Sequence, residues 1–179
     1  MTSQRSKIYH ERQRLQFCLK HSLNSLFQEK MFTRGSLNAI AGKLARDGSN
    51  SRTWKPSFFI FKPHHNVFTG NYDANVLMAA LEEKRKNVIW HDRRKESRSI
   101  DLDAPEDVLM GMVINVSVKK VAGIWSVRHW IALRKIDGVW YNLDSNLRAP
   151  EPFQGTDQVR IFLDHTIRHD GEIFLVRNE

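Results

Sequence analysis

The sequence predicts an α+β domain in which N-terminal helices pack on an antiparallel sheet, and three observations carry that prediction. Apolar residues recur at helical spacing early in the chain, as at Leu19, Leu23, Leu26 and Phe27. From Val88 onward most apolar runs are short and rich in β-branched and aromatic residues. The segment HWIALRKIDGVWYNLDS (129–145) holds two such runs around Asp137-Gly138, the dipeptide that type I′ hairpin turns favour. Helices gathered early and strands gathered late are the order of an α+β fold.

The first apolar series starts a helix near Phe17 or Cys18 and carries it to about Gln28. Leu37, Ile40, Ala41 and Leu44 mark a second helix, with Thr33 or Ser36 as N-cap and Asp47-Gly48 closing it. Between Gly48 and Phe68 the signal weakens: SNSRTW reads as loop, and FFIFK between Pro56 and Pro63 is too short to assign, so an irregular excursion is expected. Asn71 or Asp73 caps a third helix through Val76, Leu77, Ala80 and Leu81, which ends in the charged EEKRK. Residues 88–90 and 112–118 are expected strands, and 103–110 a short helix with Pro105 in its first turn. Residues 156–168 are amphipathic through Val159, Phe162, Leu163 and Ile167, with Gly171 as the stop, and 172–177 supply a last strand.

At 179 residues and 41% hydrophobic, the chain is expected to form one domain over residues 1–179. Its most apolar windows are far shorter than the roughly 20 residues a membrane-spanning helix needs. The N-terminal MTSQRSKIYHERQR is charged and lacks the apolar core of a signal peptide, so a cytoplasmic location is expected. No feature supports a peripheral membrane contact. The net charge of +8 invites an anionic partner. Its distribution does not: the basic runs at 84–86 and 93–95 are short, and no RNA-binding or zinc-finger pattern is present, so a solvated basic surface is expected and a nucleic-acid partner is not.

The chain has one cysteine, Cys18, which excludes an internal disulfide and every paired-cysteine zinc pattern. The residue is either a small buried hydrophobe or a reactive thiol. A two-residue hairpin loop at Asp137-Gly138 pairs Ile136 with Val139 and sets Asp144 opposite Ile131. His129 then projects from the same face as Asp144, a diagonal neighbour whose backbone lies roughly 7–8 Å away, within side-chain reach. Trp130 points to the other face, where core packing is its expected role. A cysteine nucleophile needs a positive environment such as a helix N-terminus or a nearby imidazolium, and the histidine needs a partner to fix its tautomer. Cys18, His129 and Asp144 meet those needs in type. Gln13 and Gln16 are both candidates to donate to the oxyanion that attack on a carbonyl creates.

The stretches YHERQRLQFCLKHSLNSLFQ (9–28), GNYDANVLMAAL (70–81), IWHDRR (89–94) and RHWIALRKIDGVWYNLDS (128–145) together resemble the Josephin family of deubiquitinating cysteine proteases, above all its small stand-alone members. The resemblance runs through nearly the whole chain in order. It implies a papain-like α+β fold and thiol-dependent hydrolysis of the bond after the C-terminal glycine of ubiquitin. Position by position, Cys18 matches the nucleophile, His129 the general base and acid, and Asp144 the residue that orients the histidine. Gln13 matches the oxyanion-hole glutamine, and His21 lies in the motif without a catalytic role, as a packed and hydrogen-bonded helix residue. The resemblance implies ubiquitin and ubiquitinated proteins as partners and no metal or cofactor; a monomer is expected. Residues 49–62 stand as an insertion in an arm over about 49–69, a region that in the family forms a mobile helical arm over the substrate channel. Three roles stay open for TWKPSFFIFKP: an extended ubiquitin surface, a membrane contact, or packing on its own domain. A catalytically weak ubiquitin-binding module of the same fold is the alternative to the enzyme.

Overall fold

A computed structural model describes residues 7–13, 17–50, 72–120 and 125–179. The first helix, α1 (Cys18–Phe27), starts at the cysteine and ends with Gln28 in the left-handed conformation. Leu19, Leu23 and Leu26 are wholly buried, as are its polar Ser22, Asn24 and Ser25. A helix covered on so many sides is a central element, and its polar side chains must find internal partners. Asn24 does so twice: its Oδ1 accepts from the Phe32 N–H at 2.7 Å and its Nδ2 donates to the Phe32 carbonyl at 3.0 Å, which closes the turn into the next helix.

That helix, α2 (Arg34–Asn50), is capped reciprocally by Thr33 and Ser36: the Ser36 N–H reaches Thr33 Oγ1 at 3.1 Å and the Thr33 N–H reaches Ser36 Oγ at 2.9 Å. It runs past the expected stop at Asp47-Gly48 to Asn50, because a glycine with helical torsions weakens a helix by only about 1 kcal/mol and does not end it. The excursion expected over 48–68 and the arm expected over about 49–69 therefore begin in helix at 48–50, and their remaining residues, from 51 on, lie outside the described residues. Asp73 caps α3 (Ala74–Glu82), its Oδ1 accepting from the Asn75 and Val76 N–H groups. Val76, Leu77, Ala80 and Leu81 face the core, as their spacing predicts.

A six-stranded sheet follows, in the order β1 (Lys86–Trp90), β6 (Glu172–Asn178), β2 (Leu109–Lys120), β3 (Trp125–Ile136), β4 (Val139–Asn142) and β5 (Glu151–Pro152). Every pairing is antiparallel. The short helix expected over 103–110 does not form. A single turn closes instead, with the Val108 and Leu109 N–H groups both on the Pro105 carbonyl at 2.9 Å, and Leu109 then enters the sheet opposite Arg177. Pro105 starts a turn there, but strand pairing claims the residues a helix would need. The last helix, α4 (Thr156–Arg168), stops where Asp170 turns left-handed and the Gly171 N–H caps the Thr166 carbonyl at 2.9 Å.

The sheet separates two apolar clusters. Met110, Val113, Trp130, Ala132, Leu143, Phe174 and Val176 pack with α1, α2 and α3. Leu109, Met112, Ile114, Ile131, Leu133, Ile173 and Leu175 pack with Val159 and Leu163 of α4. The alternation along each strand decides which cluster a side chain joins. Trp130 belongs to the first, 2% exposed, with its indole N–H on the Tyr72 carbonyl at 3.0 Å. Among the described residues no helix is long and apolar enough to cross a membrane.

Candidate active site

The β3–β4 turn sets the site. Asp137 and Gly138 have φ of 51° and 78°, both left-handed as a type I′ turn requires, and Ile136 pairs with Val139. The ladder continues through Leu133 opposite Asn142, and the Leu143 N–H reaches the Ala132 carbonyl at 2.9 Å. That register brings His129 and Asp144 together: Nε2 lies 2.6 Å from Oδ1. The loop after β4 is stiffened around the carboxylate, since the Asp144 N–H donates to Asn142 Oδ1 at 3.0 Å and the Asn146 N–H to Asp144 Oδ1 at 2.9 Å. The Asn146 side chain also approaches the ring, Nδ2 to Nε2 at 3.0 Å.

Cys18 enters from α1. Its helix is fastened to β3 one turn further on, where Ser22 Oγ donates to the Trp130 carbonyl at 2.8 Å, next door to His129. Residues 18 and 22 share a helix face, so this bond fixes the thiol beside the imidazole. Cys18 and Asp144 both act on the His129 ring, and Nε2 is the nitrogen turned to Asp144. The N-cap is Phe17, which offers no side chain to the first-turn N–H groups, and no acidic residue occupies that turn. The partial positive charge of the helix start is therefore left to act on the Cys18 sulfur. Burial works against a charged imidazole, yet the hydrogen bonds and charges of Asp144 and Cys18 outweigh it and push His129 up to about 9. Cys18 is 4% exposed and His129 7%, so both residues are buried as well as coupled.

The segment before α1 completes the arrangement. The Gln13 N–H donates to the Ser145 carbonyl at 2.7 Å, and Ser145 Oγ donates to Gln13 Oε1 at 3.2 Å. With Oε1 occupied, Nε2 is the end of that amide suited to donate elsewhere. Gln16 lies outside the described residues. His10 Nε2 sits 2.9 Å from the Asp144 carbonyl. His21 is buried, with Nδ1 2.5 Å from Glu11 Oε2. The structure thus brings Cys18, His129 and Asp144 into one chain of contacts and sets Gln13 against the residue after Asp144. Among the described residues no group of three His, Cys, Asp or Glu is placed to hold a metal ion.

A model of the Josephin family matches residues 13–177, the span that holds all four of those residues. The chain belongs to the Josephin family. It is 57% identical over 171 residues to a Josephin-like protein of Arabidopsis thaliana, an alignment covering 95% of this chain and 47% of that protein. It is 40% identical over 161 residues to human Josephin-2, covering 87% of this chain and 78% of that protein. Ataxin-3 of Gallus gallus is more distant, 27% identical over 182 residues with 96% and 46% of the two chains covered. The chain therefore spans about half the length of the Arabidopsis relative. The six-stranded antiparallel sheet and the four α-helices found among the described residues make up the papain-like Josephin fold, and the family is of deubiquitinase type.

Within this Josephin domain, sequence reasoning missed His10, Glu11, Ser145 and Asn146. The contact of Asn146 has a local signal, because an aspartate two residues before an asparagine forms an Asx turn that draws the loop back. Those of His10 and Ser145 do not, since each spans more than a hundred residues of sequence.

Proposed function

We propose that the chain is a deubiquitinase: a thiol-dependent hydrolase of the isopeptide or peptide bond after the C-terminal glycine of ubiquitin. The observation that carries the proposal is a thiol at a helix N-terminus that acts on an imidazole whose Nε2 lies 2.6 Å from a carboxylate. Membership of the Josephin family supports ubiquitin as the acyl group. In this reading residues 1–179 act as one catalytic domain.

The Cys18 thiolate attacks the glycine carbonyl, and its proton resides on His129. The carbonyl electrons move to oxygen, where the Gln13 amide donates a hydrogen bond. Collapse expels the lysine amine, protonated by His129, and leaves a thioester on Cys18. Water, deprotonated by His129, hydrolyses the thioester and frees the ubiquitin carboxylate and the thiol. Asp144 holds the imidazole in the tautomer both steps require and stabilises its charged form. None of these steps calls for a metal or cofactor.

Ubiquitin bearing a C-terminal electrophile tests the proposal. Wild-type protein is expected to form a covalent adduct that Cys18→Ala cannot form. Wild-type protein that retains the ubiquitin without reacting would instead be a ubiquitin-binding module of the same fold.

A further inference from the structure

The mechanism leaves unused a half-buried acid beside the nucleophile helix, Glu11. Residues 9–13 lie along α1 from its C-terminal end toward its start, touching it at successive turns. At the far end the Tyr9 N–H donates to Gln28 Oε1 at 2.9 Å and Gln28 Nε2 donates to the Tyr9 carbonyl at 3.2 Å. Midway, the Glu11 carboxylate collects four partners. Tyr9 Oη donates to Oε1 at 2.6 Å and Asn24 Nδ2 to the same oxygen at 2.9 Å, while His21 Nδ1 and Lys20 Nζ lie 2.5 Å and 3.2 Å from Oε2. Burial alone would push this carboxyl up, but the bonds from Tyr9, Asn24 and His21 and the Lys20 charge bring it down to about 2. At the near end the segment crosses to the other half of the site, through His10 to the Asp144 carbonyl and Gln13 to Ser145.

We propose that Glu11 is a positioning residue: gripped by His21, Asn24 and Lys20 of the nucleophile helix, it fixes the segment that carries Gln13, and so sets the distance between Cys18 and the oxyanion donor. The inference rests on the protease reading. Three of its holders lie two, three and six residues beyond Cys18 on the same helix, so a shift of the segment against that helix moves Gln13 against the sulfur. Displacements of about 1 Å are enough to cost roughly 100-fold in rate. His21 has its role here, as the donor that aims one oxygen of Glu11.

The full chain is assayed with ubiquitin carrying a C-terminal aminocoumarin amide, reading kcat and KM separately, and with iodoacetamide, which reports on the Cys18–His129 pair without forming an oxyanion. Glu11→Gln is expected to lower kcat about 10- to 100-fold, with KM and the iodoacetamide rate within about twofold of wild type. His21→Asn keeps an N–H donor at the place of Nδ1 and is expected to retain kcat, whereas His21→Leu loses it as Glu11→Gln does. Unchanged kcat in Glu11→Gln overturns the proposal. So does a parallel fall in kcat and iodoacetamide rate, because Glu11 would then hold the fold as a whole, and so do equal kcat values for the two His21 variants. A wild-type chain that alkylates but never releases aminocoumarin defeats the protease reading and the inference with it, an outcome distinct from an active wild type that Glu11→Gln merely equals.

Discussion

His129 is held from two sides, by the Asp144 carboxylate at Nε2 and by the Cys18 sulfur, and its acid–base behaviour follows from both. Since its folded value near 9 lies above the ordinary 6.5, the charged imidazole stabilises the fold fully below about 6.5 and loses that contribution as pH rises through about 9. Glu11 runs the other way: its contribution is present above the ordinary 4.5 and is lost as pH falls through about 2. Turnover by wild-type protein is therefore expected to fall on the alkaline side near pH 9, where the imidazolium that protonates the amine disappears. In Asp144→Ala that limb moves down toward the usual imidazole range, and a pH profile of kcat/KM on both proteins measures the shift. The same substitution is expected to lower kcat by about 100- to 10,000-fold, the scale seen when a histidine loses its orienting partner. Ubiquitin affinity, read by titration, should stay near the wild-type value; an equal loss in both would assign Asp144 to structure.

At the scale of elements, the hairpin shows why part of the site was legible. A two-residue turn leaves no freedom of register, so the pairing of His129 with Asp144 follows from counting back from Asp137-Gly138. The start of α1 at Cys18 was legible too, because the apolar spacing of Leu19, Leu23 and Leu26 begins there. What brings the helix to the strand was not, since Ser22 to Trp130 and Gln13 to Ser145 are contacts between distant parts of the chain that no local pattern encodes. Residues 103–110 misled for a related reason: Pro105 does start a turn, but pairing with β6 takes over at Leu109. Gly111 records how closely α1 and the sheet approach, since a Cβ there would lie 2.5 Å from the Leu133 carbonyl oxygen and 2.7 Å from Leu26 Cδ1. Backbone cannot step aside, so Gly111→Ala is expected to lose about 1–3 kcal/mol in denaturant unfolding. A midpoint equal to wild type would show that β2 has slack.

For the molecule as a whole, one sheet serves two cores, and only one of them carries the nucleophile. Leu23 of α1 and Leu163 of α4 are each wholly buried on opposite faces. Leu23→Ala and Leu163→Ala are each expected to lower stability by about 2–5 kcal/mol in chemical denaturation. They should part company in activity below the transition: Leu23→Ala loosens the helix bearing Cys18 and slows turnover, while Leu163→Ala leaves kcat near wild type. Equal losses of kcat would mean that the two faces do not act separately. Alternation along the strand made it readable in advance that Trp130 faces away from His129, whereas the reach of residues 9–13 across both halves of the site was not, since that segment has neither helical nor strand periodicity. The most direct measurement of all is to quench a reaction with ubiquitin chains in acid and weigh the intact protein. A species heavier by one ubiquitin less water, released by hydroxylamine and absent in Cys18→Ala, is the predicted result; chain cleavage that proceeds equally well in Cys18→Ala would contradict the account.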